Sequence, residues 1–193
     1  IYSNDFQWSP SVLLSEGINP YEYYLNDSSK DRIIKSQAPN YAHATYVIIM
    51  PFAMFEWSVA PKMWAIFNII LTTLTLYFLS KRSQINNVNV LFIIFLYLCS
   101  TPFRNALGNG QQSILVLFAF CSILSGMRCM RILSGLGYLK YSFAPPLALY
   151  TLQKYKLRGL VLSLVIPIIG FIIFYLIQDN KNIFLLLSQP LQV

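Results

Sequence analysis

The sequence predicts an all-α integral membrane protein built as a polytopic helical bundle, and three observations carry that prediction. Hydrophobic residues make up 56% of the 193-residue chain and charged residues only 11%, where a soluble domain carries about a quarter charged residues. Mean hydropathy is +0.54. The charges are also segregated: Asp5, Glu16, Glu22, Asp27, Asp31 and Glu56 lie near the start, Asp179 near the end, and residues 57–178 contain no acid. Together these exclude a soluble domain, and there is too much apolar chain to stay disordered. Cys99, Cys121 and Cys129 have no disulfide-framework or zinc spacing.

Residues 1–40 read as a polar, aromatic-rich extramembrane segment. Asn19-Pro20 and Ala38-Pro39 are turn signals and Asn26-Asp27-Ser28-Ser29 a loop. Residues 41–56 are apolar but contain Pro51 and end at Glu56. That is short of the ~20 residues a span needs, so a juxtamembrane helix is expected. Residues 1–56 thus form one unit, an extracytoplasmic loop with juxtamembrane helices, and residues 57–193 a transmembrane bundle of about six segments, some short or re-entrant. Met63–Leu79 is the first span, with Trp57 and Trp64 as interface anchors. Val88–Cys99 and Ser113–Gly126 are apolar arms around a polar, Gly-rich loop at 100–112. Residues 132–140 and 144–153 form a second, shorter hairpin that turns at Lys140 and Pro145-Pro146. Gly159–Ile177 is the cleanest span, with 19 uncharged residues.

Topology follows from the basic clusters Lys81-Arg82, Arg128/Arg131 and Lys154/Lys156/Arg158. They are short and separated by apolar runs, which fits cytoplasmic loops better than a nucleic-acid surface. With all three inside, residues 1–56, the 100–112 loop and Lys140 face outward. The chain opens Ile1-Tyr2-Ser3-Asn4-Asp5, without initiator Met or signal sequence. The expectation is a fragment lacking an N-terminal span and C-terminal spans.

Lys140 has no acidic neighbour in sequence, and charge at membrane depth needs a cavity or a partner. A lipid phosphate would suit it, as would the N-terminal carboxylates. Asp5, near the chain start, reads as an N-cap or solvated loop residue, or as a catalytic carboxylate. Gly108-Asn109-Gly110-Gln111-Gln112-Ser113 lacks a P-loop ending. It fits either an anion site at a helix start or a plain turn. Gly135-Leu136-Gly137 reads as close helix packing. His43 is alone, and Tyr21, Tyr23, Tyr24, Tyr41 and Tyr46 fit an interfacial belt.

The ordered set resembles a known family. It comprises Asp5 in an outer loop, Gly17-Ile18-Asn19-Pro20-Tyr21, Pro39-Asn40-Tyr41, Gly110-Gln111, Ser134-Gly135-Leu136-Gly137-Tyr138-Leu139-Lys140 with Pro145, and Lys154-Tyr155-Lys156-Leu157-Arg158. In this order they resemble glycosyltransferase family 87, polyprenol-phosphate-mannose-dependent α-mannosyltransferases of the GT-C fold. The resemblance implies a GT-C-like bundle in the cell membrane, multi-pass and of bacterial inner-membrane type, with its active site on the extracytoplasmic side. It implies inverting transfer of a hexose, mannose in the family, from a polyprenyl-phosphate donor to a lipid or glycan acceptor. Membrane lipids are the remaining partners, and no nucleic acid is expected. Asp5 matches the family's general base. Lys140 matches a lysine assigned to the donor phosphate, and Arg104 is a second candidate cation. Gln111, His43 and Tyr41 are candidate polar contacts to donor or acceptor. No cofactor is expected; no metal-ligand spacing is recognisable, and a need for a divalent metal is left open. The sequence departs from the family at Ala38-Pro39-Asn40 and at Gln112-Ser113. The competing readings are a polytopic transporter or flippase and a non-catalytic membrane subunit. The absence of inverted repeats and of intramembrane acids argues against a transporter.

Overall fold

A computed structural model describes residues 5–26, 29–125, 128–178 and 182–193. Residues 27 and 28 of the loop expected at 26–29, Asp179, Gly126, and the side chains of Lys81, Arg128 and Cys129 lie outside the described residues; Asn26 is the last residue of α2. Among those described, all regular structure is helical.

The polar N-terminal segment folds into α1 (Trp8–Ser15) and α2 (Pro20–Asn26). Asn19 opens α2 by accepting a hydrogen bond from the Tyr21 N–H at 3.0 Å, with Pro20 supplying a helix-ready φ in the first turn. Residues 41–56 yield a short helix, α3 (His43–Ala53), with Pro51 near its end.

The bundle begins with α4 (Ala60–Arg82). Trp64, Asn68, Leu71, Thr72 and Thr75 are among its buried residues. This helix packs against α7 (Ser113–Ser125), while Ile66, Ile70 and Phe78 are exposed. Between them come α5 (Asn87–Cys99) and α6 (Thr101–Gly108), bent by 57° at Ser100. Residues 101–108 are therefore a helix, not the loop expected from their polarity. Ser100 caps it by accepting from the Phe103 N–H at 3.3 Å, and Pro102 sits in its first turn.

After α8 (Arg128–Leu133) the chain tightens into a 3-10 run, Ser134–Leu139, then a 3-10 turn at Tyr141–Phe143. The glycines explain the tight run. A Cβ on Gly135 would collide with the Ser163 carbonyl, and one on Gly137 with Leu147 and Ala119. These are the close approaches that small residues permit between membrane helices. Lys140 sits between the two 3-10 segments in an extended conformation. The helices α9 (Ala144–Ser163), α10 (Val165–Ile177) and α11 (Ile183–Ser188) complete the chain. Within α9, Lys156 breaks the helix with φ 60° and ψ −170°.

Ala60–Ser80 and Tyr141–Ile177 are long and apolar enough to cross a membrane, and the bent α5–α6 pair is a third such segment. The outward faces agree with a lipid environment. Val88 is 75% exposed, Leu91 68% and Leu176 68%, more apolar surface than a soluble monomer leaves in water. The core lies where α1 and α3 meet α4, α7 and α10.

Two sequence expectations are corrected inside that core. Trp64 is not an interface anchor. It is 1% exposed, stacks on Phe6 with ring centroids 5.2 Å apart, and donates from Nε1 to the Gly110 carbonyl at 3.2 Å. Tyr21, Tyr41 and Tyr46 are not belt residues either: all three are buried. An indole or phenol hydrogen-bonded at its polar tip can enter a core as readily as a membrane interface, and apolar periodicity does not separate the two.

Candidate functional site

The site is assembled from two backbone anchors. The first fixes Asp5. Helix α6 ends in a turn where Gln111 N–H bonds to the Ala106 carbonyl at 2.9 Å and Gly110 N–H to the Leu107 carbonyl at 3.2 Å. This is the Schellman arrangement, with Gly110 at φ +67° in the left-handed position that favours glycine. It satisfies the carbonyls of 106 and 107 and leaves that of Asn109 for another donor. The Asp5 N–H takes it at 3.0 Å, and the Gln112 amide reaches the Phe6 carbonyl at 3.5 Å. Phe6, wedged between Gly110 and Trp64, is fully buried, which contributes roughly 1.5–3 kcal/mol. Within the 108–113 segment a turn is formed, and its Asn109 carbonyl holds Asp5.

The second anchor fixes Tyr41 beside Lys140. The Ala42 N–H donates to the Leu139 carbonyl at 3.2 Å and the Thr45 hydroxyl to the same oxygen at 3.3 Å. The peptide groups of Tyr41 are themselves clamped. Its N–H donates to the Tyr46 hydroxyl at 3.2 Å, and its carbonyl accepts from the hydroxyls of Tyr21 at 2.5 Å and Tyr46 at 3.3 Å.

The two anchors converge on the Tyr41 side chain. Its hydroxyl donates to Asp5 Oδ1 at 2.7 Å, and the Lys140 ammonium lies over its ring, 5.8 Å from the centroid. Burial first, then the adjacent Asp5 carboxylate, push the Tyr41 phenol well above its ordinary pKa. It therefore keeps its proton and donates throughout the physiological range. Among the described residues, no carboxylate pairs with Lys140.

Tyr41 lies in the chain between residues that line two different cavities. On one side is a polar cavity of about 360 Å³ lined by Asp5, Gln7, Asn40, Asn109 and Gln111 with Ser36 and Ala38. On the other is an apolar groove of about 600 Å³ walled by Ala42, Tyr138, Tyr141, Pro145, Pro167 and Phe171, among others. Asn40 faces the first and Ala42 the second, so the polarity changes across one residue. Tyr138 and Tyr141, which bracket Lys140, both wall the groove.

Asp5, Tyr41 and Gln111 are thus brought to one place, with Lys140 across the tyrosine ring. The other two expected site residues are not. Arg104 is exposed on α6, its guanidinium reaching Thr101 Oγ1 at 3.4 Å, and it lines neither cavity. His43 is 6% exposed inside a cage of Tyr21, Phe171 and Phe174, its Nε2 at 2.9 Å from the Leu186 carbonyl. Burial pushes its imidazole down to about 4. It reaches the apolar groove's wall but not the polar cavity, so its evident work is to tie α3 to α10 and α11. Gln7 and Asn40 line the cavity beside Asp5 and were not anticipated, because an isolated amide side chain in a loop carries no periodic or motif signal. No group of three or more His, Cys, Asp or Glu side chains gathers among the described residues.

The helical fold of the described residues, with helices long and apolar enough to cross a membrane and exposed apolar faces, is that of a membrane protein. A family model for glycosyltransferase family 87 matches residues 41–183, well over half of the chain. The chain belongs to that family and is a glycosyltransferase, an enzyme of the EC 2.4 type that joins a sugar donor to an acceptor. The matched segment contains Tyr41, His43, Arg104, Gln111 and Lys140; Asp5 precedes it. No curated protein and no solved structure matches the chain at a significant level.

Proposed function

We propose that this enzyme transfers a hexose, mannose by family resemblance, from a polyprenyl-phosphate donor to an acceptor hydroxyl on the extracytoplasmic side, with inversion. One observation carries the reading: a carboxylate and a cation flank a single aromatic ring, and the residues on either side of that tyrosine in the chain line a polar cavity and an apolar groove. A lipid-linked sugar has the same order of parts. Its chain suits the groove, its phosphate the Lys140 ammonium, and its sugar the amide- and carboxylate-lined cavity.

In this mechanism the acceptor oxygen attacks the anomeric carbon while Asp5 takes its proton. The bond from that carbon to the phosphate oxygen breaks, and the negative charge left on the lipid phosphate is met by Lys140. A hydroxyl is a poor nucleophile, and a positioned base contributes ~10²–10⁴-fold. Fixed cations aimed at developing charge are worth most where water is excluded. Gln111, with its side chain on the cavity wall, hydrogen-bonds the sugar. Lys140 lies over the ring of the tyrosine that binds Asp5, whereas Arg104 is exposed on α6 and reaches Thr101, so the phosphate role is assigned to Lys140 first.

The test is transfer from radiolabelled polyprenyl-phosphate-mannose by the full-length protein in nanodiscs, with membrane lipids as acceptors. Asp5→Asn should lower turnover by ~10²–10⁴-fold while donor binding persists. Turnover that survives this change would move the base elsewhere. Glu16 and Glu22 are poor substitutes: Glu16 is paired with Arg32, and Glu22 accepts from Gln189 at 2.8 Å. If neither form transfers mannose, glucose and arabinose donors follow.

A further inference from the structure

We infer that Tyr41 is a positioning residue with two separable tasks: its hydroxyl orients the Asp5 carboxylate, and its ring supports the Lys140 ammonium. The inference rests on the proposed roles of Asp5 and Lys140 and reassigns Tyr41 from a substrate contact.

The hydroxyl has one proton to give, and at 2.7 Å it gives it to Asp5 Oδ1. A carboxylate held at one oxygen and through its own backbone N–H has little freedom left. Its second oxygen is then the one available to a proton arriving from an acceptor in the polar cavity. This is the logic by which a base gains from a third group that orients it. The ring does different work. An ammonium over an aromatic face is attracted by the ring's quadrupole and is held without losing its charge. A carboxylate partner would neutralise Lys140 and compete with a phosphate, whereas a neutral ring does neither.

The fixation of Tyr41 makes the two tasks separable by mutation. The clamps from Tyr21, Tyr46 and Leu139 act on the peptide groups of residues 41 and 42 and on Thr45. Substituting the side chain at 41 leaves those bonds in place.

The experiment compares kcat and donor KM for wild type, Tyr41→Phe and Tyr41→Leu, alone and combined with Asp5→Asn, with polyprenyl-phosphate-mannose as the donor. Tyr41→Phe removes the hydroxyl only. Its kcat should fall by about tenfold or more, since hydrogen bonds to charged groups are the strong class, with donor KM unchanged. Tyr41→Leu removes the ring as well, and donor KM should rise by roughly threefold or more. In an Asp5→Asn background, Tyr41→Phe should cause no further loss. The positioning role is overturned if Asp5→Asn abolishes transfer while Tyr41→Phe keeps wild-type kcat. It is also overturned if Tyr41→Phe raises donor KM at constant kcat, the mark of a direct substrate contact. Failure of the underlying reading looks different: Asp5→Asn itself would then retain transfer.

Discussion

Two glycines in this chain occupy the same motif in different surroundings. Helix α1 ends as α6 does: Ile18 N–H bonds to the Leu13 carbonyl at 2.9 Å and Gly17 N–H to the Leu14 carbonyl at 3.0 Å. Gly17 has φ +79° and Gly110 φ +67°. An alanine at either position meets the left-handed penalty of roughly 1–2 kcal/mol. A Cβ on Gly17 would meet nothing within 4 Å, whereas one on Gly110 would lie 2.8 Å from Phe6 Cβ and 3.2 Å from Phe6 Cα. Phe6 cannot swing aside, because it is stacked on Trp64 in the core. Relieving such overpacking costs about 1–3 kcal/mol more. For a chain of this size, 1 kcal/mol moves Tm by about 2–4 °C. Gly17→Ala should therefore lower Tm by roughly 2–8 °C, and Gly110→Ala by roughly 4–20 °C. Trp64 donates to the Gly110 carbonyl, so tryptophan fluorescence in detergent is a suitable thermal probe. Well below both transitions, Gly110→Ala should still lose transfer by about 10²-fold, since Phe6 carries Asp5 with it and a shift of ~1 Å has that cost. Gly17→Ala should not. Equal Tm shifts together with wild-type transfer in Gly110→Ala would refute the claim that this turn sets the position of Asp5.

Two further outcomes are expected. Lys140→Ala should raise donor KM by about 10–100-fold, the weight of a charge-assisted contact, with Lys140→Arg partly restoring it; unchanged donor affinity in both would remove Lys140 from the phosphate. His43 makes stability fall on the acid side: its folded pKa of about 4 lies below the unfolded value of ~6.5. The unfolded chain then binds more protons between those values, and the contribution present above ~6.5 is lost as pH drops towards 4, by up to ~1.4 kcal/mol per pH unit. Tm measured from pH 7 to 5 should fall more steeply for the wild type than for His43→Phe; identical slopes would contradict a neutral, caged imidazole.

Much of the helical framework was legible because membrane helices announce themselves by apolar length. Val88–Cys99, Ser113–Gly126 and Gly159–Ile177 lie within a residue or two of the ends, or inside the bounds, of α5, α7 and the α9–α10 stretch. The packing glycines at 135 and 137 were legible for the same reason, since few other roles exist for them in an apolar run. What stayed hidden was local polarity put to structural use. The 100–112 stretch looks like a loop by composition, yet one serine cap and one glycine stop define α6 within it. The tyrosines were misplaced because a phenol suits both a membrane interface and a buried hydrogen bond. Of the candidate site, Asp5, Gln111 and Lys140 are proposed from the resemblance alone. Their meeting through Tyr41 depends on long-range backbone bonds from Asn109 and Leu139, which no short-range pattern encodes.

The break at Lys156 has a dimensional consequence. An unbroken helix through Tyr141–Ile177 would be about 55 Å long at 1.5 Å per residue, nearly twice the ~30 Å of a bilayer's hydrocarbon layer. One residue in a non-helical conformation divides that length. The portion after it, through the end of α10, is about 30 Å long and fits the layer; the portion before it is about 22 Å. The bilayer thus acts as a gauge, and residue 156 is where the chain has been cut to measure. Restoring helicity there would leave a rod that fits its membrane only by steep tilting or by forcing the lipid to thicken around it.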